Sequence, residues 1–256
     1  ESTPPGFPDF EYAWAMYYHE ETGYYYLGHD GSGLIRMDDF SGTGWTEYTG
    51  EDSPGGPFAS IGCIEIGPDN KIYIMDTWHD RLVRIDNMDG DGWVSFGEFG
   101  SGMGQFHQPS NIAFDSYGRI YIADQKNHRL VRIDNMSGAG WTSYGSSGSG
   151  VDQFNRITDV KIGPDNRLYL VDMINRRVIR INDMSGAGWI EYNVEFTQPF
   201  SLDLDPDGRM YLPDHDSHLI TRINNIYGEG LTTFGERGDG DCEFNRPFDI
   251  FIRETE

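Results

Sequence analysis

Residues 111–145, NIAFDSYGRIYIADQKNHRLVRIDNMSGAGWTSYG, decide how this chain folds. They contain four short apolar runs, at 112–114, 120–123, 130–133 and 141–144. Between the runs lie a Ser-Tyr-Gly turn, a polar loop from Asp124 to Arg129, and Asn-Met-Ser-Gly-Ala-Gly. Runs this short, rich in Ile, Val and Tyr and punctuated by Gly, Asn and Asp, read as strands joined by tight turns. None is long enough for a helix. The stretch predicts a four-stranded antiparallel meander.

The chain repeats it. Trp45, Trp93, Trp141 and Trp189 lie 48 residues apart, each closing a Gly-x-Gly-Trp tetrad. Phe10, Phe58, Phe106, Phe154, Phe196 and Phe244 mark a second point of the unit, spaced by 48 except for one interval of 42. One unit has therefore lost six residues, between Tyr192 and Phe196. A fixed period of this length with four strands per unit signals blades arranged around an axis. A blade cannot bury both of its faces alone, so its neighbours supply the core. Full units occupy residues 12–48, 61–96, 111–144, 159–192 and 201–234. The expectation is an all-β propeller of five four-stranded blades, with six as the alternative because a further unit is begun near the C-terminus.

Three words carry a resemblance: GRIYIADQKNHRLVRI (118–133), NRLYLVDMINRRVIRI (166–181) and, more loosely, NKIYIMDTWHDRLVRI (70–85). With them the chain resembles the NHL-repeat β-propellers over nearly its whole length. That resemblance implies a fold more than an activity, since such propellers serve as binding platforms and scaffolds and, less often, as lyases or hydrolases.

Fifteen Tyr, fifteen Phe and six Trp can fill a core between flat blades. The formal net charge is −23. Such a chain repels nucleic acid and anionic membrane and attracts cations or basic partners. No apolar run approaches the roughly 20 residues of a membrane span. The sequence starts at Glu1 without a leader pattern, as a secreted or periplasmic protein does after processing. Cys63 and Cys242 admit one disulfide or two buried thiols. Asn135, Met136 and Ser137 form a glycosylation sequon in a turn.

With strands lettered A to D from the axis outward, A–B and C–D turns share one face of a meander. The B–C loops and blade-to-blade connections share the other. Function collects on such loops, so the expected binding face carries Trp78, His79, Asp80, Lys126, His128, Asn175, Arg176 and Asp216. A glycan-binding version would use Trp78, because aromatic faces cover sugar rings. Asp76, Asp124, Asp172 and Asp214 recur at the end of strand B, where each is expected to accept N–H groups of its own loop. Arg84, Arg132, Arg180 and Arg222 on strand C are expected to pair with carboxylates of a neighbouring blade.

Two stretches imitate a calcium loop: Asn87 with Asp89, Asp91 and Glu98, and Asp203 through Asp214. Both lie between strands rather than helices, and the equivalent turns lack the acids. His215 and His218, with His29 from the first unit, form the densest set of ligands for a transition metal. They are also the catalytic candidates of a lyase or hydrolase reading. Cys63, Asn111, Asp159, Ser201 and Asp249 share one repeat position on strand A, as expected for residues lining an axial channel. No nucleophile elbow, HExxH or phosphate-binding loop is present. The leading expectation is a secreted, non-enzymatic scaffold or binding module for a protein or glycan.

The domain reading is an extended arm at 1–9, the propeller at 10–245, and a surplus A-type strand at 246–256. That strand carries Phe248, Ile250, Phe251 and Ile252, a sticky edge if left unpaired. It can close its own ring, pair with the next subunit in a homo-oligomer or filament, or remain from a longer chain.

Overall fold

The computed structural model describes residues 13–29, 33–41, 43–193 and 196–252, with the side chains of Ala13, Trp14 and His29 set aside. The expected arm at 1–9 lies outside the described residues. Blade one is β1 (Ala13–His19), β2 (Tyr24–His29), β3 (Gly33–Met37) and β4 (Thr46–Tyr48). Blade two is β5 (Ile61–Ile66), β6 (Ile72–Asp76), β7 (Arg81–Ile85) and β8 (Val94–Phe96), followed by the short β9 (Glu98–Phe99) and β10 (Gln105–Phe106). Blade three is β11 (Asn111–Phe114), β12 (Ile120–Asp124), β13 (Arg129–Ile133) and β14 (Thr142–Tyr144), then β15 (Ser146–Ser147) and β16 (Gln153–Phe154). Blade four is β17 (Ile157–Ile162), β18 (Leu168–Asp172), β19 (Arg177–Ile181) and β20 (Ile190–Asn193). Blade five is β21 (Asp203–Leu204), β22 (Met210–Asp214), β23 (Leu219–Ile223) and β24 (Thr232–Phe234), then β25 (Glu236–Arg237) and β26 (Glu243–Phe244). Each blade pairs its four strands in sequence order, antiparallel throughout. The fold is a five-bladed β-propeller, and the only helical elements among the described residues are two single 3-10 turns, Thr77–His79 and Gln125–Asn127.

The chain divides into two compact units, residues 1–109 with 136–138, and residues 110–135 with 139–256. Blades one and two lie in the first, blades three to five in the second. In both, strand B is the most buried: Ile72–Asp76, Ile120–Asp124 and Leu168–Asp172 have every residue buried. Packing on both faces explains why these strands read as continuous apolar runs rather than alternating ones. In the first unit Leu34, Ile61, Ile74 and Val83 share a core. In the second, Leu130, Phe154, Ile157 and Val160 share one, and Tyr169, Val178, Leu202 and Leu212 another.

The Gly-x-Gly-Trp tetrad follows from that packing. Gly186 has φ +75°, and a Cβ there would run into the Tyr144 ring of the preceding blade. Gly188 has φ +70°, and a Cβ would meet the Asn182 side chain at the start of its own turn. Both positions are left-handed and crowded, so only glycine fits. Trp93 and Trp189 lie under guanidinium groups, with Arg81 and Arg177 carbons 5.5 and 5.4 Å from the ring centroids.

Two of the strand-C arginines, Arg84 and Arg132, correct an expectation: their hydrogen-bond and ion-pair partners lie within their own blade. Arg84 and Arg132 stand opposite Tyr73 and Tyr121 in register. Their Nη2 atoms donate to the carbonyls of Gly92 and Gly140, at 3.1 and 3.2 Å. The glycines of the C–D turn leave those carbonyls uncovered within reach, so no neighbour is needed.

A second difference is the connection after blades two, three and five. There the chain forms a parallel two-residue pair, such as Ser146 with Gln153 and Ser147 with Phe154. Gln153 Oε1 closes the loop by accepting from the Gly150 N–H at 3.0 Å. At the C-terminal end, no strand is assigned over residues 246–252. Phe248 stacks on Phe200 with centroids 4.3 Å apart, and the Ile252 N–H donates to Asp203 Oδ2 at 2.7 Å. Phe248, Ile250, Phe251 and Ile252 are half-buried.

Candidate functional site

Strand B ends in a carboxylate clasp that builds the B–C loop. Asp172 Oδ1 accepts from the Asn155 N–H at 2.7 Å, while Oδ2 accepts from Asn175 Nδ2 at 2.8 Å and Arg177 Nε at 2.9 Å. Asp76 takes the Ala59 N–H, Arg81 Nε and His79 Nδ1 at 2.9 to 3.0 Å, and Asp124 takes Asn127 and Arg129 at 2.8 Å. Asp214 takes the Thr197 and Gln198 N–H groups at 2.8 and 2.9 Å. This corrects the expectation for Asp76, Asp172 and Asp214: their backbone donors come from the segment leading into strand A, about 17 residues upstream. The clasp therefore ties two segments together, and Arg177 extends it to the carbonyls of Ser149, Gly150 and Gln153. Removing one partner of such a buried pair costs roughly 3–5 kcal/mol.

Asp80 and His128, expected on the binding face, and His218, expected as a ligand, each fasten a loop. Asp80, His128 and His218 sit at φ +54° to +61°. Asp80 Oδ1 accepts from the Gln108 N–H at 2.6 Å; His128 and His218 Nδ1 accept from the Arg156 and Arg246 N–H groups at 3.2 and 3.1 Å. Each side chain thus points along the loop to the next connection, which leaves its ring or carboxylate engaged.

Trp78 is displayed, 66% exposed, and His79, Arg176 and Asp216 are exposed beside their loops. Lys126 and Asn175 are half-buried. The same face of the first unit also shows Phe99 and Met103, and that of the second shows Val151 and Ile174, all exposed. These four were missed. Their signal is a lone large apolar residue inside a Gly/Ser-rich connection or a B–C loop, where no core position calls for one.

His215 Nδ1 lies 2.7 Å from Asp216 Oδ1, and its ring meets the Phe200 edge with centroids 5.5 Å apart. The Gln198 amide nitrogen, turned to donate, meets both Asp216 oxygens at 3.1 and 3.2 Å. The His29 side chain lies outside what the structure describes; of the expected three histidines it describes His215 and an engaged His218.

At the strand-A position, Cys63, Asp159 and Ser201 are buried, Asn111 is half-buried and Asp249 is exposed. Asp159 is fully buried. Its Oδ2 accepts from the Leu202 N–H at 2.8 Å, and its Oδ1 has no partner among the described residues. Burial pushes its carboxyl up to about 7, against the opposing pull of Lys161 and the Leu202 N–H, and the charges of Asp249 and Asp203 raise it further. A carboxyl group shifted this way can hold a proton near neutrality.

The calcium-like residues are not brought together. Asn87 Oδ1 accepts from the Asp89 and Asp91 N–H groups within the C–D turn. Glu98, across β8 at the other end of the blade, accepts from Gln105 Nε2 at 3.1 Å. In the second stretch Asp205 orients Arg209 at 2.5 Å, while Asp214 serves the clasp. Among the described residues no group of three or more His, Cys, Asp or Glu side chains is placed to hold a metal ion. Neither cysteine is in a disulfide among the described residues; Cys63 is buried but Cys242 is exposed, which corrects the alternative of two buried thiols.

No family model matches the chain, and no curated protein matches it. Solved structures do match. Virginiamycin B lyase from Staphylococcus aureus superposes with a TM-score of 0.65 at 18% identity, over 87% of this chain and 69% of that one. A chain of the nidogen–laminin complex gives 0.69 at 14% identity, over 86% and 79%. The extracellular domain of a one-component system from B. thetaiotaomicron gives 0.63 at 17% identity, over 93% of this chain and 33% of that one. At these identities the likeness is one of fold: the chain shares the β-propeller architecture of an enzyme, a chain of a protein–protein complex and an extracellular domain.

Proposed function

We propose that this is an extracellular binding module of the NHL-repeat type that takes a partner protein on the face of its B–C loops. The observation that carries the reading is the display of Trp78, Phe99 and Met103 on that face of the first unit, at 66 to 78% exposure. Large apolar side chains held open on rigid loops mark interaction sites, and aromatic and Met residues are enriched in them. The loops are rigid because the carboxylate clasps use their polar groups internally. A net charge of −23 favours a basic partner. The segment 246–252, with Phe248, Ile250, Phe251 and Ile252 only half-buried, is the place this reading gives to a contact between copies. No helix among the described residues is long and apolar enough to cross a membrane.

The experiment compares the wild type with a Trp78→Ser/Phe99→Ser/Met103→Ser variant against a panel of extracellular proteins and against a glycan array. A protein ligand lost by the variant, with thermal stability kept, supports the reading. Retention of every ligand by the folded variant overturns it. Binding of the array alone, through Trp78, favours the lectin version.

A second reading, a lyase or hydrolase, draws on the His215–Asp216 pair, in which a carboxylate orients an imidazole as in general acid–base catalysis. Turnover abolished by His215→Ala in the otherwise intact protein would establish it.

A further inference from the structure

On the face opposite the B–C loops, blades three and four leave a cleft of about 210 Å³. One wall is the β11–β12 turn with Tyr117 and Arg119; the other is the β17–β18 turn with Asn166, together with Asn182 after β19. Ile162 and Leu168 supply an apolar lining. Neither the expected binding face nor the acid–base pair uses any of these residues.

The polar groups of this cleft divide into two classes. Asp115 is saturated: Oδ1 accepts from the Tyr117 and Arg119 N–H groups at 3.0 and 2.9 Å, and Oδ2 from Arg119 Nε at 2.5 Å and Tyr121 OH at 3.3 Å. Its work is to shape the turn and aim Arg119. The Arg119 Nη groups and the side-chain amides of Asn166 and Asn182 have no hydrogen-bond partner among the described residues. Tyr117 is 84% exposed, and the Arg119 guanidinium carbon lies 5.1 Å from its ring centroid.

We propose that this cleft binds a neutral pyranose. Two planar amides and a guanidinium fork offer paired donors and acceptors, which suit adjacent hydroxyls. The Tyr117 ring and the Ile162–Leu168 lining suit the C–H face of the same sugar. Charge excludes the competing ligand: Asp115 and Asp183 outnumber Arg119 in the lining, so an anion finds no net positive field. The repeat supplies an internal contrast. The cleft between blades one and two, about 270 Å³, has Ile66, Ile72 and Asn70 at the matching positions. There Asp86 replaces Asn182 and pairs with Lys71 at 3.2 Å, while His19 bonds Thr22 at 2.8 Å. Arg36 lies over the Tyr24 ring there and Asn70 is kept, but the second amide is gone from its matching position, so that cleft lacks the paired amides.

The test is saturation-transfer NMR on the whole chain with methyl pyranosides of gluco, galacto, manno, fuco and N-acetylglucosamine configuration, and with inorganic phosphate. At least one pyranoside is expected to bind, with affinity reduced about tenfold or more by Tyr117→Ala and by Asn182→Ala and unchanged by Trp78→Ala. Both substitutions lie at the rim, and thermal melting checks that each variant is folded. Absence of binding by the whole panel, indifference to Tyr117→Ala, or displacement by phosphate overturns the proposal. Loss on Trp78→Ala instead would move sugar binding to the B–C face and overturn it equally.

Discussion

Asp159 is a carboxyl group that folding carries away from water, with only Lys161 and one N–H to compensate. Its raised pKa has a definite sign for stability. Between the unfolded value of 3.8 and the folded value of about 7 the folded state binds more protons than the unfolded one. Stability is therefore fully present below about pH 4 and declines as pH rises through about 7. The largest loss is of the order of 4 kcal/mol, from three pK units at about 1.4 kcal/mol each. Asn at this position keeps an acceptor for the Leu202 N–H and removes the charge. Thermal melts of Asp159→Asn should match the wild type near pH 4 and exceed it near pH 8. Curves that stay parallel across that range would mean that Asp159 titrates normally. The same residue shows how far sequence reading reaches: its repeat position marked it as an axial group, but burial and a missing partner for Oδ1 depend on contacts no spacing encodes.

The blade is the scale at which sequence and structure agree best, for a physical reason. Strand B is packed on both faces, so its apolar run is continuous, and the tetrad glycines are fixed, the first by an aromatic ring of the preceding blade and the second by a side chain of its own turn. Both leave marks every 48 residues. The parallel pairs after blades two, three and five left none, being two residues long inside Gly-rich connections. The clasps were half-legible: the Asp spacing was visible, but not that the N–H groups come from upstream. Blade five tests the clasp as an element, because Leu219 and Leu231 stand where blades two, three and four have Arg and Trp. The two positions of the Arg177–Trp189 contact have changed together. Leu219→Arg and Leu231→Trp should each gain little alone and show a favourable coupling of about 0.5–1 kcal/mol when combined. Urea denaturation of the four members of the cycle measures it, and a coupling of zero would sever the Arg–Trp contact from blade stability.

At the scale of the whole chain, 42 acidic residues against 19 basic ones leave charge that no local pair cancels. Two opposing effects of salt follow. Screening weakens surface ion pairs such as Arg167–Asp165 and Arg209–Asp207, at 3.0 and 2.8 Å, which contribute little where they face water. It also weakens the mutual repulsion of the uncompensated carboxylates, which opposes the compact state. The clasps are buried and screened least, so the main stabilising ion pairs stand outside the contest. Repulsion should win. Raising ionic strength from about 0.01 M to about 0.15 M shortens the Debye length from roughly 30 Å to about 8 Å, and Tm should rise by a few degrees. A fall in Tm would mean that surface pairs outweigh the net charge. The salt response is separable from the pH response of Asp159: the stability difference between wild type and Asp159→Asn at pH 8 should persist at the higher ionic strength, because the charge it removes is buried rather than screened.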